Sequence, residues 1–459
     1  MRVAIVGAGP AGMYAAGHLL EGPGGTYLDG RLQELVDRPV EVDVFDRLPT
    51  QWGLLRHGVA PDHPEKKLVE RVFEQTAARP GFRFRGNIEI GEHASTRELS
   101  DWYDAVIYAH GAAGDNRLGI EGEGLPGFLS ARAFVAWFNG HPDYLHIEPN
   151  LSHERAVVIG NGNVALDVAR ILARPVDDLS ATDIAEHALI ALRGSRIREI
   201  VILGRRPHFN GAFHNPELEE LEHLHDVDIE VDYGESSSDP DTQKVDSRRK
   251  IRTIRRYATR PKREAPRQIV LRFLSSPLEI TGGDRVAGLL VGRNRLVRDQ
   301  DGADRLRLTD DRELVETGLV LCATGYFGTP LPGLPYDEAR GVVPNEHGRI
   351  VRDGNVVAGQ YVTGWAKRGP RGIIGTNKKC ARDTVVALLE DARHALLPTG
   401  GTRTAEEVET ILRGRVPTIV DHTGWIRIDD SERRAGRKAG RSRHKIADRE
   451  TLLRVAASK

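Results

Sequence analysis

Two short glycine-rich segments, about 150 residues apart, constrain this chain more than any other feature. The first reads Gly7-Ala8-Gly9-Pro10-Ala11-Gly12 and follows the apolar run Val3–Val6. The second reads Gly160-Asn161-Gly162-Asn163-Val164-Ala165 and follows Ala156–Ile159. An apolar helical pattern comes after each. Strand, tight turn and helix in this order form the unit that binds a dinucleotide, whose pyrophosphate lies on the amide groups at the helix start. We therefore predict two dinucleotide-binding units.

The strand that follows each unit ends in a different charge. After the first unit, Val42–Phe45 leads to the acid Asp46, and after the second, Ile200–Leu203 leads to Arg205 and Arg206. A carboxylate at this place accepts hydrogen bonds from ribose hydroxyls, whereas arginines suit a 2′-phosphate. The difference predicts FAD in the first unit and NADPH in the second. Because Asp46 follows Gly12 by more than the usual ~20 residues, we also expect an insertion between residues 21 and 39.

Composition narrows the class of protein further. The formal net charge of −1 over 459 residues gives no argument for nucleic acid or a membrane surface, and no apolar stretch approaches the ~20 residues of a membrane span. The two cysteines, Cys322 and Cys380, are too far apart for a Cys-x-x-Cys pair and too few for an iron–sulfur cluster. We predict no metal site. Because the first strand begins at Val3, we expect no targeting peptide and a cytoplasmic location.

The alternation of strand and helix patterns predicts an α/β fold with mainly parallel sheets, built from two Rossmann-like domains. We place the first part of the FAD-binding domain at 1–108 and the NADP-binding domain at 109–328. The glycine-rich segment Gly364–Asn377 is interpreted as a third helix start that returns to the first sheet. The second part of the FAD-binding domain would then be 329–459 with a C-terminal tail, and this domain would be discontinuous.

Several longer motifs occur in a fixed order between and after these loops. They are Pro49–Arg56, Gly58–Pro64, Val157–Leu172, Gly204–Arg206, Ala212–Phe213, Glu217–Leu218 and Gly364–Asn377. On these motifs the chain resembles, over nearly its whole length, the adrenodoxin-reductase-like ferredoxin–NADP+ reductases, and particularly the actinobacterial NADPH–ferredoxin reductases. The resemblance implies FAD and NADP as cofactors and electrons that move singly between NADPH and an iron–sulfur protein.

The resemblance also implies which residues bind the cofactors. The FAD residues, beside the loop glycines Gly7, Gly9 and Gly12, are Ala11, Asp46, Leu54, Ile90, Trp365, Gly372, Ile373 and Ile374. The NADP residues are Asn161, Gly162, Asn163 and Val164 for the pyrophosphate, Arg205 and Arg206 for the 2′-phosphate, and Glu217 for the nicotinamide nucleotide, which Gly372 also reaches.

The chain departs from the family at three positions. They are His110, Pro207 and His214, where a small residue, a glycine and a threonine are usual. These departures bear on the geometry around the nicotinamide.

His63 and Glu220 are predicted as a polar catalytic pair at the junction of flavin and nicotinamide, because similar proteins place a histidine and a glutamate at the matching positions. An imidazole there would handle a proton or orient the nicotinamide amide. Two simpler interpretations stay open. His63 would only cap a turn between Pro61 and Pro64, and Glu220 would only complement the dipole of an acidic helix start.

A basic run between residues 244 and 267 has partly helical spacing. Because ferredoxins are typically acidic and similar proteins dock them with basic residues in this region, we predict an acidic iron–sulfur ferredoxin as the partner. Its predicted docking residues are Arg248, Arg249, Arg252, Arg255 and Arg256. A solvated helix face is the alternative. A second basic run, 433–445, is interpreted as no more than a surface segment.

We predict an NADPH–ferredoxin oxidoreductase, which transfers a hydride from NADPH to FAD and then single electrons to a ferredoxin. An NADPH-oxidising flavoprotein subunit, or a diaphorase serving another acceptor, is a weaker alternative, since such subunits carry cysteine clusters ahead of the first glycine loop. A flavin monooxygenase would show a characteristic motif between the loops, which is missing. A non-catalytic sensor of FAD and NADP is the alternative from another class.

Overall fold

The computed structural model describes residues 1–21, 39–234, 244–301, 304–398, 401 and 403–458, so that the insertion expected between 21 and 39 lies almost entirely outside the described residues. The strands are β1 (Arg2–Val6), β2 (Glu41–Asp46), β3 (Phe82–Gly86), β4 (Ala105–Tyr108), β5 (Gly114–Asp115), β6 (Phe128–Ser130), β7 (Arg155–Ile159), β8 (Glu199–Leu203), β9 (Val227–Asp232), β10 (Arg267–Arg272), β11 (Ser275–Gly282), β12 (Val286–Arg298), β13 (Asp304–Glu316), β14 (Leu319–Cys322), β15 (Tyr326–Phe327), β16 (Asn345–Glu346), β17 (Arg349–Arg352) and β18 (Asn355–Val362).

The helices alternate with these strands along most of the chain. They are α1 (Pro10–Leu20), α2 (Leu54–His57), α3 (Pro64–Lys67), α4 (Glu70–Ala77), α5 (Thr96–Trp102), α6 (Ala131–Phe138), α7 (Asn163–Ala173), α8 (Val176–Ser180), α9 (Glu186–Arg193), α10 (Asn215–Glu220), α11 (Val245–Thr259), α12 (Trp365–Arg368), α13 (Ile374–Arg393), α14 (Ala405–Arg415), α15 (His422–Lys438) and α16 (Arg449–Ala457). Short 3-10 turns lie at Pro142–Tyr144, His208–Asn210 and Leu221–His223.

The first sheet takes its strands from both ends of the chain, in the order β16-β17-β18-β4-β1-β2-β3. The five strands from β18 to β3 are parallel, and β16 to β18 form an antiparallel edge. β1 is apolar over Val3–Val6 because helices cover both faces of a parallel sheet. Helices α1 and α13 pack against each other on this sheet. The carboxyl ends of β1 and β4 therefore lie beside the amino ends of both helices.

The second sheet is parallel throughout, in the order β6-β14-β7-β8-β10-β9. Its largest apolar cluster includes α6, α7 and α9. Together the two sheets confirm the predicted α/β fold with two dinucleotide-binding units. The proposed domain limits at 108 and 328 stay predictions.

An antiparallel sheet, β11-β12-β13, was not expected from the sequence. β13 is exposed along most of its length, so it lacks the apolar alternation that would have signalled a half-buried strand.

The interpretation of residues 433–445 as no more than a surface segment was wrong for Arg443 and Lys445, whereas Arg434, Arg437 and Lys438 are exposed. Arg443 and Lys445 are only 8% and 4% exposed. Arg443 donates to Glu432 (2.9 Å), a residue of α15 that is fully buried, and Lys445 lies 3.1 Å from Asp183. Arg56 also donates to both oxygens of Glu432, at 2.8 and 2.5 Å. Buried charges in proteins are normally paired, and here the pairs join the C-terminal helices to both dinucleotide units.

Candidate active site

The first glycine loop connects β1 to α1 in a conformation that requires glycine. Gly7 has a φ of 113°, and a Cβ atom there would lie 2.5 Å from the carbonyl oxygen of Ala109. A Cβ atom at Gly12 would overlap the carbonyl oxygen of Gly7. Gly9 is the N-cap residue, and Pro10 begins the helix with the fixed φ that suits this position. The loop thus brings the amino end of α1 against the ends of β1 and β4.

A second tight turn lies against this loop. Trp52 has a φ of 79° and its N–H donates to the carbonyl of Ala8 at 3.0 Å. Gly53 follows with a φ of 47°, and a Cβ there would lie 2.8 Å from the Cα of Gly9. Leu54 then begins α2. The structure therefore brings the predicted FAD residues Gly9 and Leu54 close together although 45 positions separate them in the sequence.

Asp46 ends β2 beside the same loop. Its Oδ2 accepts from Ala8 N at 2.8 Å and its Oδ1 accepts from Leu48 N at 2.9 Å. Burial raises the pKa of this carboxyl group, although the two backbone donors act against the shift. A carboxylate accepts up to about four hydrogen bonds, so Asp46 retains capacity for the ribose. Ile90 is buried in one apolar cluster with Phe45 and Ala366.

The third glycine-rich segment packs against the first glycine loop. A Cβ atom at Gly364, whose φ is 68°, would lie 2.6 Å from the Cβ of Ala11. The ring of Trp365 lies 5.1 Å from that of Tyr326, and its Nε1 is buried without a hydrogen-bond partner. Gly372, Ile373 and Ile374 form the start of α13, where Ile373 is 59% exposed.

The residues around this place fit FAD. Nδ1 of His110, directly after β4, is a second buried polar atom without a partner, and burial lowers the pKa of His110 to about 4. Buried polar atoms are rarely left unsatisfied in the absence of a ligand or ion. The orphan nitrogens of His110 and Trp365 lie in segments that border a glycine loop built for a pyrophosphate.

The second glycine loop connects β7 to α7 and repeats this design. Gly160 has a φ of 115°, and a Cβ there would overlap the carbonyl oxygen of Ala323. A Cβ at Gly162 would meet nothing within 4 Å. Asn161 accepts from Phe213 N at its backbone carbonyl (2.9 Å), and its Nδ2 is buried without a partner. These residues fit the pyrophosphate of NADP, because the amino end of α7 is open to a ligand.

The predicted departure His214 contacts this loop directly. Its backbone N–H donates to Oδ1 of Asn163 at 2.8 Å, and its Nδ1 lies 3.0 Å from Nδ2 of the same asparagine. Arg205 and Arg206 are exposed after β8, and neither forms an ion pair with a carboxylate in the described ranges. Pro207 is buried beside them, ahead of the 3-10 turn. The arginines are thus free to contact a phosphate group.

The structure brings His63 and Glu220 together across the two units. Nε2 of His63 lies 3.2 Å from Oε2 of Glu220, and His63 is only 5% exposed. Nε2 also lies 2.5 Å from Nη2 of Arg170, while Nδ1 lies 3.1 Å from Oε1 of Glu65. These contacts are satisfied when Nδ1 donates to Glu65 and Nε2 accepts from Arg170. Oε2 of Glu220 is then buried without a hydrogen bond, although Nη1 of Arg170 lies 3.5 Å from it as an ion pair.

Sequence reasoning missed the charged residues that hold this pair. Arg170 donates to Asp62 (2.6 and 3.0 Å) and to Asp167 (2.7 Å). Burial acts to raise the pKa of Asp62 and of Asp167, but their hydrogen bonds and ion pairs with Arg170 outweigh it and lower both pKa values. The spacing of Asp167 and Arg170, three residues apart on α7, was the available signal.

The simpler interpretations of His63 as a turn cap and of Glu220 as a complement to a helix start both disagree with the structure. His63 is the N-cap residue of α3, but its side chain forms no capping hydrogen bond. Glu220 is the last residue of α10, where a negative charge opposes the helix dipole. Glu217 lies in the first turn of α10, 3.5 Å from Nζ of Lys66.

The basic run forms α11, with Arg248, Arg249, Arg252, Arg255 and Arg256 exposed. Arg249 and Arg256 form ion pairs with Glu219 (2.5 Å) and Glu222 (2.7 Å). Over the described residues, Arg248 and Arg252 form no such pair. The positive charge of this face is therefore smaller than the sequence alone indicates.

The described ranges contain neither a metal-binding cluster of side chains nor a membrane-spanning helix. No three His, Cys, Asp or Glu side chains there are arranged to hold a metal ion. None of the helices in the same ranges combines the length and the apolar character needed to cross a membrane.

Comparison with known proteins gives the family of this chain. A family model described as pyridine nucleotide-disulphide oxidoreductase matches residues 1–253. The NADPH-ferredoxin reductase FprA of Mycobacterium tuberculosis is 45% identical over 461 residues, which cover 99% of this chain and 98% of the relative. The mitochondrial NADPH:adrenodoxin oxidoreductase of Salvelinus fontinalis is 38% identical over 471 residues, or 99% and 91% of the two chains. The structure of M. tuberculosis FprA in complex with NADPH matches with a TM-score of 0.91 at 44% identity, covering 100% of this chain and 99% of that one.

The fold and the two sites define a flavoprotein oxidoreductase that binds FAD and NADP. This chain belongs to the pyridine nucleotide-disulphide oxidoreductase family and, within it, to the adrenodoxin-reductase-like ferredoxin–NADP+ reductases. The predicted family and cofactors are confirmed. The disulphide of the family description has no counterpart here, since Cys322 and Cys380 are both free and buried.

Proposed function

We propose that this protein is an NADPH–ferredoxin oxidoreductase, which takes a hydride from NADPH and passes its two electrons singly to an iron–sulfur ferredoxin. The observation that carries the proposal is the meeting of the two dinucleotide units at His63 and Glu220. The relatives named NADPH-ferredoxin reductase and NADPH:adrenodoxin oxidoreductase support a ferredoxin-type acceptor. A hydride carries two electrons, so one turnover reduces two ferredoxins and releases one proton.

FAD, when bound, supplies the hydride acceptor and the single-electron donor. The backbone amides of the loop Gly7–Gly12 would hold its pyrophosphate and Asp46 its ribose. The remaining predicted residues, around Leu54, Ile90, Trp365 and the start of α13, would enclose the rest of the cofactor.

NADPH would bind along the second unit. Asn161, Gly162, Asn163 and Val164 offer the amino end of α7 to its pyrophosphate. The exposed Arg205 and Arg206 would bind the 2′-phosphate, because guanidinium groups form paired hydrogen bonds with phosphate oxygens. Glu217, in the first turn of α10, would reach the nicotinamide nucleotide.

His63 and Glu220 would position the nicotinamide. Hydride transfer depends on the distance and alignment of the two rings more than on an acid or base. Arg170 and Glu65 hold the imidazole on both sides, so its orientation is fixed. Oε2 of Glu220 forms no hydrogen bond in the described residues and would accept one from the amide of the nicotinamide.

The ferredoxin would dock on α11. An acidic partner complements Arg248, Arg249, Arg252, Arg255 and Arg256, and complementary charge acts mainly on the rate of association.

The test is NADPH-driven reduction of purified ferredoxins, coupled to cytochrome c and repeated over a series of salt concentrations. We expect a yellow protein that NADPH bleaches rapidly, with a strong preference for NADPH over NADH and a ferredoxin rate that falls with salt. A protein that stays colourless after incubation with FAD, or that uses NADH equally well, would contradict the proposal. Dye reduction alone would not identify the acceptor, because many reduced flavoproteins reduce dyes.

A further inference from the structure

A guanidinium group in the third glycine-rich segment lacks the anion that its position requires. Arg368 ends the short helix α12, between Gly364 (φ 68°) and Gly369 (φ 77°). Its Nη2 donates to Oδ1 of Asn377 at 2.9 Å. Its Nε and Nη1 are buried and have no hydrogen-bond partner. No carboxylate among the described residues forms an ion pair with Arg368.

The described surroundings of Arg368 add a positive charge, Lys367, and the nearby carboxylate of Asp383 acts on Lys367 and not on Arg368. Nζ of the neighbouring Lys367 donates to the hydroxyl of Thr384 at 3.1 Å. Cys380 accepts at its Sγ from the N–H of Gly364 at 3.3 Å. Burial lowers the pKa of both Arg368 and Lys367. Arginine nevertheless stays charged in proteins, and buried charges are ordinarily paired.

The guanidinium contacts the amino end of α13, and Gly364 packs between that helix end and the amino end of α1. Asn377 is in the first turn of α13, and its Oδ1 is 3.6 Å from the Cβ position of Gly364. That same Cβ position is 2.6 Å from the Cβ of Ala11, in the first turn of α1. Helix amino ends carry partial positive charge and favour anions. An arginine without a carboxylate partner among the described residues therefore lies at the end of α13, close to the segment that packs against the end of α1.

We propose that Arg368 is the counter-charge for bound FAD, and that its Nε and Nη1 donate to a negatively charged part of the cofactor. The proposal rests on the FAD site proposed above. Two parts of FAD qualify: the pyrophosphate, which is always charged, and the isoalloxazine ring after reduction. Both present an acceptor to the same two N–H groups.

The experiment compares Arg368→Gln, Arg368→Lys and the control Arg382→Gln. Arg382 lies on the same helix α13 but is turned to solvent, 3.5 Å from Asp383. For each holoprotein we would measure the dissociation constant of oxidised FAD, from the fluorescence of released cofactor, and the midpoint potential of the bound cofactor. Arg382→Gln should match the wild type in both.

If the partner is the pyrophosphate, Arg368→Gln should weaken binding of oxidised FAD by about tenfold or more and leave the potential unchanged. If the partner is the reduced ring, the affinity for oxidised FAD should hold and the potential should fall. A tenfold loss in the preference for reduced FAD corresponds to about 30 mV for two electrons. Arg368→Lys should keep most of the FAD affinity in the first case and most of the midpoint potential in the second, because lysine keeps the positive charge.

An Arg368→Gln protein with wild-type affinity and potential would overturn the proposal. So would an Arg368→Lys protein that loses as much as Arg368→Gln. Should Arg368→Gln fail to fold, as judged by circular dichroism, Arg368→Lys decides alone: near wild-type values support the assignment and a tenfold loss contradicts it. If the role of Arg368 is rejected, FAD binding by the wild type and by Arg382→Gln still supports the FAD site itself.

Discussion

His63 lies among charged groups from three separate segments of the chain. Asp62 and Glu65 are its neighbours in sequence, Arg170 comes from α7 and Glu220 from α10. Because Arg170 shares its donors between Asp62, Asp167 and the imidazole, a change at one of these residues alters the position of the others.

At this scale we expect His63→Ala to slow reduction of the flavin by NADPH by roughly ten- to a hundredfold, since small displacements of reacting groups have effects of this size. FAD should stay bound, because His63 is not part of the glycine loop. Stopped-flow absorbance of the flavin measures the rate. The exposed His225 provides the matched control, His225→Ala. A wild-type rate for His63→Ala would reject the role.

The arginine pair after β8 should determine the choice of coenzyme. Replacing Arg205 and Arg206 by alanine removes two charge-assisted contacts of about 1.5–3 kcal/mol each. We therefore expect KM for NADPH to rise at least about tenfold while KM for NADH changes little. Steady-state kinetics with both coenzymes measures this. An equal rise for both would mean that the arginines do not read the 2′-phosphate.

The residues that were predictable from sequence carry local signals. The glycine loops and the arginine pair each stand directly after an apolar strand, so a short window reveals them. The partners of His63 were not predictable, because Arg170 lies 107 positions away and only the fold brings it near. Glu432 and Arg56, 376 positions apart, are the extreme case.

Helix α11 shows how an element can carry less charge than its sequence indicates. Two of the five arginines predicted to dock the partner are paired with acids near α10, whereas Arg248 and Arg252 have no such pair in the part of the chain that the structure describes. The unpaired arginines are the better candidates for contact with a partner.

We expect Arg248→Gln with Arg252→Gln to lower the second-order rate with ferredoxin about three- to tenfold at low salt, and the difference to shrink as salt screens the charges. Arg437→Gln with Lys438→Gln removes the same charge from the exposed end of α15 and serves as the control. Equal rates for the two double variants would show that net charge, not α11, governs association.

Helix α1 buries a titratable group in the middle of the first unit. Burial lowers the pKa of His18 to about 4 from 6.5. Between these values the unfolded chain binds the proton and the folded protein does not, so stability falls as pH decreases from 6.5 to 4. At about 1.4 kcal/mol per pKa unit, His18 accounts for at most about 3 kcal/mol. Urea unfolding of His18→Gln should show a shallower pH dependence than the wild type; identical slopes would exclude this assignment.

At the scale of the whole molecule, buried ion pairs and hydrogen bonds join the C-terminal helices to the two dinucleotide units. Glu432 accepts from Arg56 of the first unit, from Arg443 and from the backbone of Ile446. Burial acts to raise the pKa of Glu432, but Arg56 and Arg443 outweigh it and lower the pKa. Lys445 extends the network to Asn139 and Asp183.

Glu432→Gln should destabilise the protein by about 3–5 kcal/mol, because the buried Arg56 loses its counter-charge and Arg443 loses one of its carboxylate partners while it keeps Asp429. Urea unfolding followed by circular dichroism measures the change. Glu390→Gln, which breaks an exposed pair with Arg349, should cost less than about 1 kcal/mol. Equal losses for the two variants would show that the buried network contributes no more than a surface ion pair.

The pairing of β4 with β18 sets an order of events during synthesis. β4 ends at Tyr108 and its parallel neighbour β18 begins at Asn355, with the whole second sheet between them in the chain. The second sheet can form while the ribosome is still translating the rest of the chain. The first sheet cannot be completed until β18 has been synthesised. The flavin site should therefore be complete only after β18 and the start of α13 have been synthesised.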